Sequence, residues 1–520
     1  MRVRQIVFAF GILLAAQGHG QQISPPRIQW QRVFGASERE SLPALRQTRD
    51  GGFVLGGVSQ SPPGGTKTAP NYGDYDYWIV RLDAQGDALW DRSFGGYRPD
   101  FFGSLQETVD GGFILGGGSW STTNGNKTTE HFGSQSTADF WVLRLDPSGN
   151  RIWEQNYGGI GDDVMRKVQQ TADGGFLLCG DSGSPPSGNK TADKIGGYDY
   201  WVVRLDSNGQ KLWDKVYGGT YDDLAWSAEL TADGGLVLVG GSISQPSGTK
   251  TSPNYGSYDF WVVRLDANGN QLWDRSFGGT GDDTAYCVSQ TPEGGFVVAG
   301  RSDSPPSGNK TSPLFDNSDF WVVWLDANGN KLSEQSFGGT GVDYPYSLDV
   351  TRDGGLIIGG RSGSGVSGNK STPNYGGVDF WVVRLDADGN KLWDASYGGS
   401  RTDQLQSLQQ TRDGGFLLGG SSWSTDGNKT VPAFGFGDGW VIKLGPEQPL
   451  LQLTGQPYAQ GGLHLLLTGI KNLSYAVDYS SDLNAWSTLQ TNRMSSAQIE
   501  LIDPGMTNAT QRFYRARLLQ

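Results

Sequence analysis

A unit of about sixty residues recurs seven times along this 520-residue chain, and few architectures accommodate that pattern. The motif Asp-(Tyr/Phe/Gly)-Trp places its tryptophan at Trp78, Trp141, Trp201, Trp261, Trp321, Trp381 and Trp440. A second motif, (Asp/Glu)-Gly-Gly before an apolar run, places its acid at Asp50, Asp110, Asp173, Asp233, Glu293, Asp353 and Asp413. Successive intervals in both series stay between 59 and 63 residues. A fixed period of this length marks a repeat architecture, in which each unit buries its apolar faces only against its neighbours.

Within one unit, residues 212–217, 226–231, 236–239 and 259–266 form four short runs of β-branched and aromatic residues bounded by Gly, Asn and Asp. Such runs read as strands, and no 3.6-residue apolar period competes, so the repeat is all-β. Asp266-Ala267-Asn268-Gly269-Asn270 joins the fourth run to the first run of the next unit. Its glycine recurs at Gly86, Gly149, Gly209, Gly329 and Gly389, where a tight hairpin needs positive φ. The Asp-Gly-Gly turn joins the second run to the third in the same way. The long Ser/Pro/Gly/Thr connection between the third and fourth runs is left to cross between sheets. This reasoning predicts four-stranded sheets in the order fourth, first, second, third.

The chain opens with a first run, 28–34, that has no fourth run before it. It closes with a fourth run, 440–444, that has no first run after it. Pairing these two in one sheet would close a ring and hide the edges of an open array. The prediction is a seven-bladed β-propeller closed by N- and C-terminal strands. Alternating faces of the fourth run are both mostly apolar, so its tryptophan is expected in the core.

Arg2 and Arg4 precede an apolar stretch, 6–16, too short for a permanent span, so residues 1–20 read as a secretory signal peptide. The propeller is assigned to 21–445, a linker to 446–449 and a small C-terminal β-module to 450–520. The expected location is extracellular, cell-surface or periplasmic, with no membrane span and a monomeric chain. A net charge of -13 disfavours nucleic acid and anionic membranes as partners. Cys179 and Cys287 occupy different places in non-adjacent units and read as small buried apolar residues.

Histidine occurs three times, at His19, His131 and His464, which leaves no material for a Ser-His-Asp triad or a histidine metal site. Acid pairs at Asp162-Asp163, Asp222-Asp223 and Asp282-Asp283 would suit hydrolysis or Ca²⁺, or simply cap loop donors. Every unit carries an aspartate two residues before its tryptophan: Asp76, Asp139, Asp199, Asp259, Asp319, Asp379 and Asp438. If the fourth strand is innermost, these acids ring one channel mouth and could hold a cation or basic group, unless each is tied into its own turn. Departures from the repeat point to a unique site. Trp324 replaces the usual Arg, Ser333 replaces the usual Trp, and Arg301 and Arg361 follow third runs in adjacent units. The Asn-Lys-Thr triplets at Asn126, Asn189, Asn309 and Asn428 read as loop polarity.

Through Asp-Phe-Trp-Val-Val-Arg-Leu-Asp-Ala-Asn-Gly-Asn-Gln-Leu-Trp, residues 259–273, and the Phe-Gly-Gly-Thr-Gly-Asp-Asp that follows, the chain resembles the bacterial secreted β-propeller repeat family. That resemblance spans 28–444 and implies an exported scaffold or binding protein. The Leu-Asp-x-x-Gly-x-x-Leu-Trp stretch is also similar to the repeat of pyrroloquinoline-quinone dehydrogenases. Those enzymes typically have eight blades, and many carry vicinal cysteines, whereas this chain has seven units and no such pair. The tail, with Tyr475-Ala476-Val477-Asp478-Tyr479 and Arg512-Phe513-Tyr514, resembles immunoglobulin- or fibronectin-like C-terminal modules of Verrucomicrobia-like secreted proteins. The expectation is a scaffold that binds a protein or polysaccharide without catalysis and without a cofactor, Ca²⁺ apart. The alternative is a carboxylate-based polysaccharide hydrolase or lyase, or a quinoprotein-like propeller enzyme.

Overall fold

The computed structural model describes residues 24–447, 452–457, 463–469, 473–481, 485–496, 498–504 and 512–519. The signal segment and linker residues 448 and 449 lie outside these. The described residues form strands and turns, with no α-helix and so no helix able to cross a membrane.

β1 (Ile28–Phe34) opens the chain. The first four-stranded sheet holds β2 (Glu40–Gln47), β3 (Phe53–Ser59), β4 (Asp76–Leu82) and β5 (Ala88–Phe94). The second holds β6 (Asp100–Glu107), β7 (Phe113–Ser119), β8 (Asp139–Leu145) and β9 (Arg151–Tyr157). The third holds β10 (Asp163–Gln170), β11 (Phe176–Ser182), β12 (Asp199–Leu205) and β13 (Lys211–Tyr217). The fourth holds β14 (Asp223–Leu230), β15 (Leu236–Ser242), β16 (Asp259–Leu265) and β17 (Gln271–Phe277). The fifth holds β18 (Asp283–Gln290), β19 (Phe296–Ser302), β20 (Asp319–Leu325) and β21 (Lys331–Phe337). The sixth holds β22 (Asp343–Val350), β23 (Leu356–Ser362), β24 (Asp379–Leu385) and β25 (Lys391–Tyr397). The last holds β26 (Asp403–Gln410), β27 (Phe416–Ser422) and β28 (Asp438–Leu444), with β1 antiparallel to β28. Repeated antiparallel four-stranded sheets of this kind make a propeller-like fold.

The strand order corrects the sequence prediction. Each sheet runs second, third, fourth, then first strand of the next unit. The long polar connection therefore stays within its sheet, and the short Gly-Gly loop after the first strand makes the crossing. Hydrogen bonds explain the reversal. In the fourth sheet's connection, Thr251 and Ser252 donate their main-chain N–H groups to Asp274 on β17 (3.1 and 2.9 Å), which also accepts Trp261 Nε1 at 3.0 Å. Lys250 is buried there, donating to the Ser252 carbonyl at 2.7 Å with Nζ 5.9 Å above the Trp261 ring. The Asn-Lys-Thr triplets are thus a clasp and not simple loop polarity. Asn309 Oδ1 accepts the Gly278 N–H (2.9 Å), and its Nδ2 donates to the Ser276 carbonyl (2.9 Å), tying the connection to the crossing loop.

Apolar cores lie between successive sheets. All seven repeat tryptophans are fully buried, and in six units the aromatic before it packs at a tilt on the next sheet's tryptophan, as in Phe260–Trp321 at 4.6 Å. Each such side chain removes roughly 150–250 Å² from water, about 4–6 kcal/mol gross. The seventh motif has Gly439 in place of the aromatic, because Leu42 of the first sheet occupies that space: a Cβ on Gly439 would lie 2.2 Å from Leu42 Cδ1. The Asp-x-Asn-Gly turns form as expected, with Gly269 at φ 72° and Asp266 Oδ1 accepting the Asn268 and Asn270 N–H groups. Cys179 and Cys287 are buried free thiols.

After the repeats, β29 (Gln452–Pro457), β30 (Leu463–Thr468), β31 (Ser474–Ser480), β32 (Ser487–Arg493), β33 (Gln498–Asp503) and β34 (Phe513–Leu518) form two three-stranded sheets, β29-β30-β33 and β32-β31-β34. Leu465, Leu467, Tyr475 and Val477 are among the residues of their shared core.

Candidate functional site at the channel mouth

The second strand of each unit packs against the second strands of the units before and after it, and β2 packs against β26 as well as β6. These seven strands surround a cavity of about 590 Å³, within the range typical of ligand sites. Each has one bulged position where the register against the third strand shifts, for example between Ala225 and Ser227. A bulge re-aims the side chain it carries. Here it turns the fourth residue of the strand toward the channel.

That position breaks the repeat. It is Pro43, Gly103, Arg166, Trp226, Tyr286, Tyr346 and Gln406 in chain order. Four consecutive units therefore carry a continuous arc of large side chains. The Arg166 guanidinium lies 4.3 Å over the Trp226 ring, Trp226 and Tyr286 are 5.2 Å apart edge to face, and Tyr286 and Tyr346 are 5.6 Å apart. Arg361 lies 4.6 Å over Tyr344 and 5.9 Å over Tyr346, and Arg301 lies 5.3 Å over Tyr344. Burial pushes the Tyr286 hydroxyl up to about 12, against the pull of Arg301 and Arg361.

The three arginines differ in their partners. Arg166 holds Asp181 through two bonds, at 3.2 and 3.1 Å. Burial raises Asp181 to about 6 even so. Arg301 lies 3.7 Å from Asp282 and 3.9 Å from Asp303. Arg361 has no carboxylate within ion-pair reach among the described residues, and its buried Nε has no hydrogen-bond partner.

Deeper in the channel, Arg46, Lys167, Glu229 and Asp349 project from four different second strands. Burial, reinforced by Arg46, pulls the Lys167 amine down to about 8. Glu229 and Asp349 are raised, burial being the main cause in both. Each acid serves its neighbour's backbone. Glu229 accepts the Gln290 N–H at 3.4 Å and Asp349 the Gln410 N–H at 2.8 Å, as Gln106, Gln169 and Gln409 do at equivalent places. Among the described residues no group of three or more His, Cys, Asp or Glu side chains converges as a metal site.

The aspartates two residues before each tryptophan do not ring the mouth. The second strand, not the fourth, lines the channel, and Asp76, Asp139, Asp199, Asp259, Asp319, Asp379 and Asp438 are all fully buried, two strands away from it. Each closes its own connection, as Asp259 does by accepting the Tyr255 N–H at 2.5 Å and Asp199 the Ile195 N–H at 2.9 Å. The Asp162 and Asp222 carboxylates likewise accept loop N–H groups, from Ala138 and Tyr198. Arg301 and Arg361 do meet, at the aromatic mouth. Trp324 is at the other end of its sheet, opposite Ser333. It lies against the next unit's turn glycine Gly389, a place covered in the unit before by Trp273 over Gly329. Trp324 therefore substitutes for the tryptophan that Ser333 lacks. The arc of Arg166, Trp226, Tyr286 and Tyr346 escaped the sequence reading, because the second run varies at most positions after its first acid and no single position in it stands out.

The chain matches no protein-family model. It is 23% identical over 432 residues to the regulatory protein FlaEY of Caulobacter vibrioides, a match covering 79% of this chain and 40% of that protein. The chain thus spans about two fifths of the length of the curated relative it matches. Among solved structures, Kuenenia stuttgartiensis hydrazine synthase superposes over 78% of this chain and 96% of that one, at 12% identity and TM-score 0.41. Puromycin hydrolase superposes over 86% and 62%, at 11% identity and TM-score 0.42. Likenesses this distant say nothing about activity, and the propeller-like fold rests on the strand topology itself.

Proposed function

We propose that the chain is an exported seven-bladed β-propeller with a small sandwich-like C-terminal module, and that it binds a protein or polysaccharide partner at the aromatic channel mouth. Support for seven blades and a closed ring comes from the pairing of β1 with β28, the packing of β2 on β26 and the seating of Leu42 against Gly439. Support for binding comes from one observation above all. A framework repeated seven times has no packing reason to place Arg166, Trp226, Tyr286 and Tyr346 on four consecutive inner strands. Rules broken locally inside a consistent framework mark functional positions.

The hydrolase or lyase alternative would use Glu229 and Asp349. Both are committed as acceptors of neighbouring main-chain N–H groups, work that glutamine does elsewhere in the ring. Binding is therefore the better reading. The test is a polysaccharide and protein panel probed with the full chain and with a Trp226→Ala/Tyr346→Ala variant, alongside an assay for new reducing ends. Loss of binding in the variant without release of reducing ends is expected. Unchanged binding would remove the mouth as the site, and accumulating reducing ends would restore the enzyme alternative.

A further inference from the structure

The mouth carries a cation without a counter-ion, in a chain whose net charge is -13. Arg166 and Arg301 already face carboxylates, whereas Arg361 faces tyrosines, lying over the rings of Tyr344 and Tyr346. Those rings hold the guanidinium plane in place, so its fork is set before any ligand arrives. A half-buried, unpaired guanidinium with an unsatisfied Nε is a costly arrangement unless something pairs with it.

The same contacts exclude one ligand class. The rings that would cage a quaternary ammonium or a lysine already carry guanidinium groups, Arg166 on Trp226 and Arg361 on Tyr344 and Tyr346, and these repel a further cation while leaving room for an uncharged ring face. An anionic ligand is left, and the backbone chooses its kind. Trp226, Tyr286 and Tyr346 stand at bulges of the exposed inner strands. Bulged edges resist pairing with an added strand. An acidic peptide would thus lose the main-chain ladder through which strands are usually added. A sugar ring needs only flat apolar faces and a few polar groups, which the arc and its arginines supply.

We infer that the mouth binds an acidic saccharide, with Arg361 forming a two-bond pair to a sugar carboxylate and the Trp226–Tyr286–Tyr346 arc receiving the ring faces. This rests on the binding reading above and narrows it to one ligand class.

The probes are hexagalacturonate, the same oligosaccharide with its carboxyls reduced to alcohols, and hexaglutamate, titrated calorimetrically into the full chain and into Arg361→Gln. Thermal melting confirms that the variant folds. Wild type should bind hexagalacturonate at least about tenfold more tightly than the reduced form, the size of a charge-assisted pair. Arg361→Gln should erase that preference while keeping the weak binding of the reduced form. Equal affinity of wild type for both sugars, lost in Trp226→Ala, would overturn the acidic-ligand inference and leave the binding reading intact. Arg361-dependent binding of hexaglutamate without sugar binding would overturn it in favour of a peptide. Absence of binding by all three probes would overturn it as well.

Discussion

The Arg412 main-chain N–H donates to Gln47 Oε1 at 2.8 Å, a bond between residues 365 positions apart. The Gln47 N–H donates in turn to Gln409 Oε1 at 2.9 Å. The same pair of bonds joins the second and third sheets, where Val109 donates to Gln170 and Gln170 to Gln106. Arg352 and Gln410 repeat the first of them between the sixth and last sheets. The first and last sheets are thus linked by the same glutamine bonds as the second and third, at the end of the second strands away from the aromatic mouth.

That equivalence is measurable. Gln47→Ala/Gln409→Ala removes the link between first and last sheets, and Gln106→Ala/Gln170→Ala removes its counterpart within the continuous chain. Each double variant loses two hydrogen bonds to main-chain donors, and each should cost about 2 kcal/mol in denaturant unfolding. Similar losses are expected. A silent Gln47/Gln409 pair beside a costly Gln106/Gln170 pair would mean that the two ends of the repeat array do not hold each other.

Stability should rise as pH falls from about 7 to about 5, the reverse of ordinary acid denaturation. Two acids converge on the crossing loop of each junction: a Cβ on Gly278 would lie 2.0 Å from Asp259 Oδ1 and 2.9 Å from Asp283 Oδ2. Burial raises Asp76, Asp259, Asp319 and Asp379 to about 7, and Asp100, Asp163 and Asp223 to about 6. In the unfolded chain these groups titrate near 3.8. Between about 4 and 7 the folded form therefore holds more protons, and stability is lost as pH climbs through that window. Melting temperature against pH reads this directly, and Asp259→Asn should flatten the slope. A melting temperature that is level or higher at pH 7 than at pH 5 would show that these carboxylates are stabilised in some other way.

The repeat, the strand content and the hairpin turns were legible because each depends on local chemistry: periodic tryptophans, β-branched runs, glycine where φ must be positive. Sheet order was not, because it turned on which of two connections crosses. The long polar one looked free to do so, yet Lys250, Ser252 and Asn309 tie such connections down through contacts with residues 22 to 33 positions away. With the order reversed, the second strand and not the fourth is innermost, so the condition for a ring of acids at the mouth is not met and the seven aspartates follow the other alternative, each tied into its own connection. Arg301 and Arg361 were found by their departure from the unit. Arg166, Trp226, Tyr286 and Tyr346 were hidden because bulged second-strand positions have no fixed residue type from which to depart.

Trp324 and Ser333 form a compensated exchange. Elsewhere an arginine on the fourth strand, or Lys443 in the last unit, pairs with the turn acid, as Arg264 does with Asp233 at 2.6 Å, and a first-strand tryptophan covers the next turn. In the fifth sheet one tryptophan has moved across the register pair to the arginine's place. Trp324→Arg alone should destabilise by about 2 kcal/mol through lost apolar burial. Adding Ser333→Trp should recover most of that, because the pair then matches the other units and Glu293 is available to the new arginine. A double-mutant cycle with additive losses would refute the exchange.

The C-terminal module should be held to the sixth sheet through Glu447. Its carboxylate accepts Arg384 Nε at 3.1 Å, Arg384 Nη2 at 3.2 Å and Trp393 Nε1 at 2.7 Å. Turn acids in the first four units keep 64 to 67% of their side chains exposed, whereas Asp353 keeps 6% and Arg384 none. Leu473, from the module, packs on the core beneath Trp393 together with Leu392, whose counterpart Leu332 is 68% exposed. Glu447 is thus held against the sixth sheet. Glu447→Ala leaves a fully buried guanidinium with one carboxylate fewer and frees the Trp393 N–H, a loss of about 3 kcal/mol at that contact. Limited proteolysis should then cut between the repeats and the module markedly faster than in wild type, while the repeats themselves stay resistant. Equal cleavage rates would show that Glu447 does not hold the module in place.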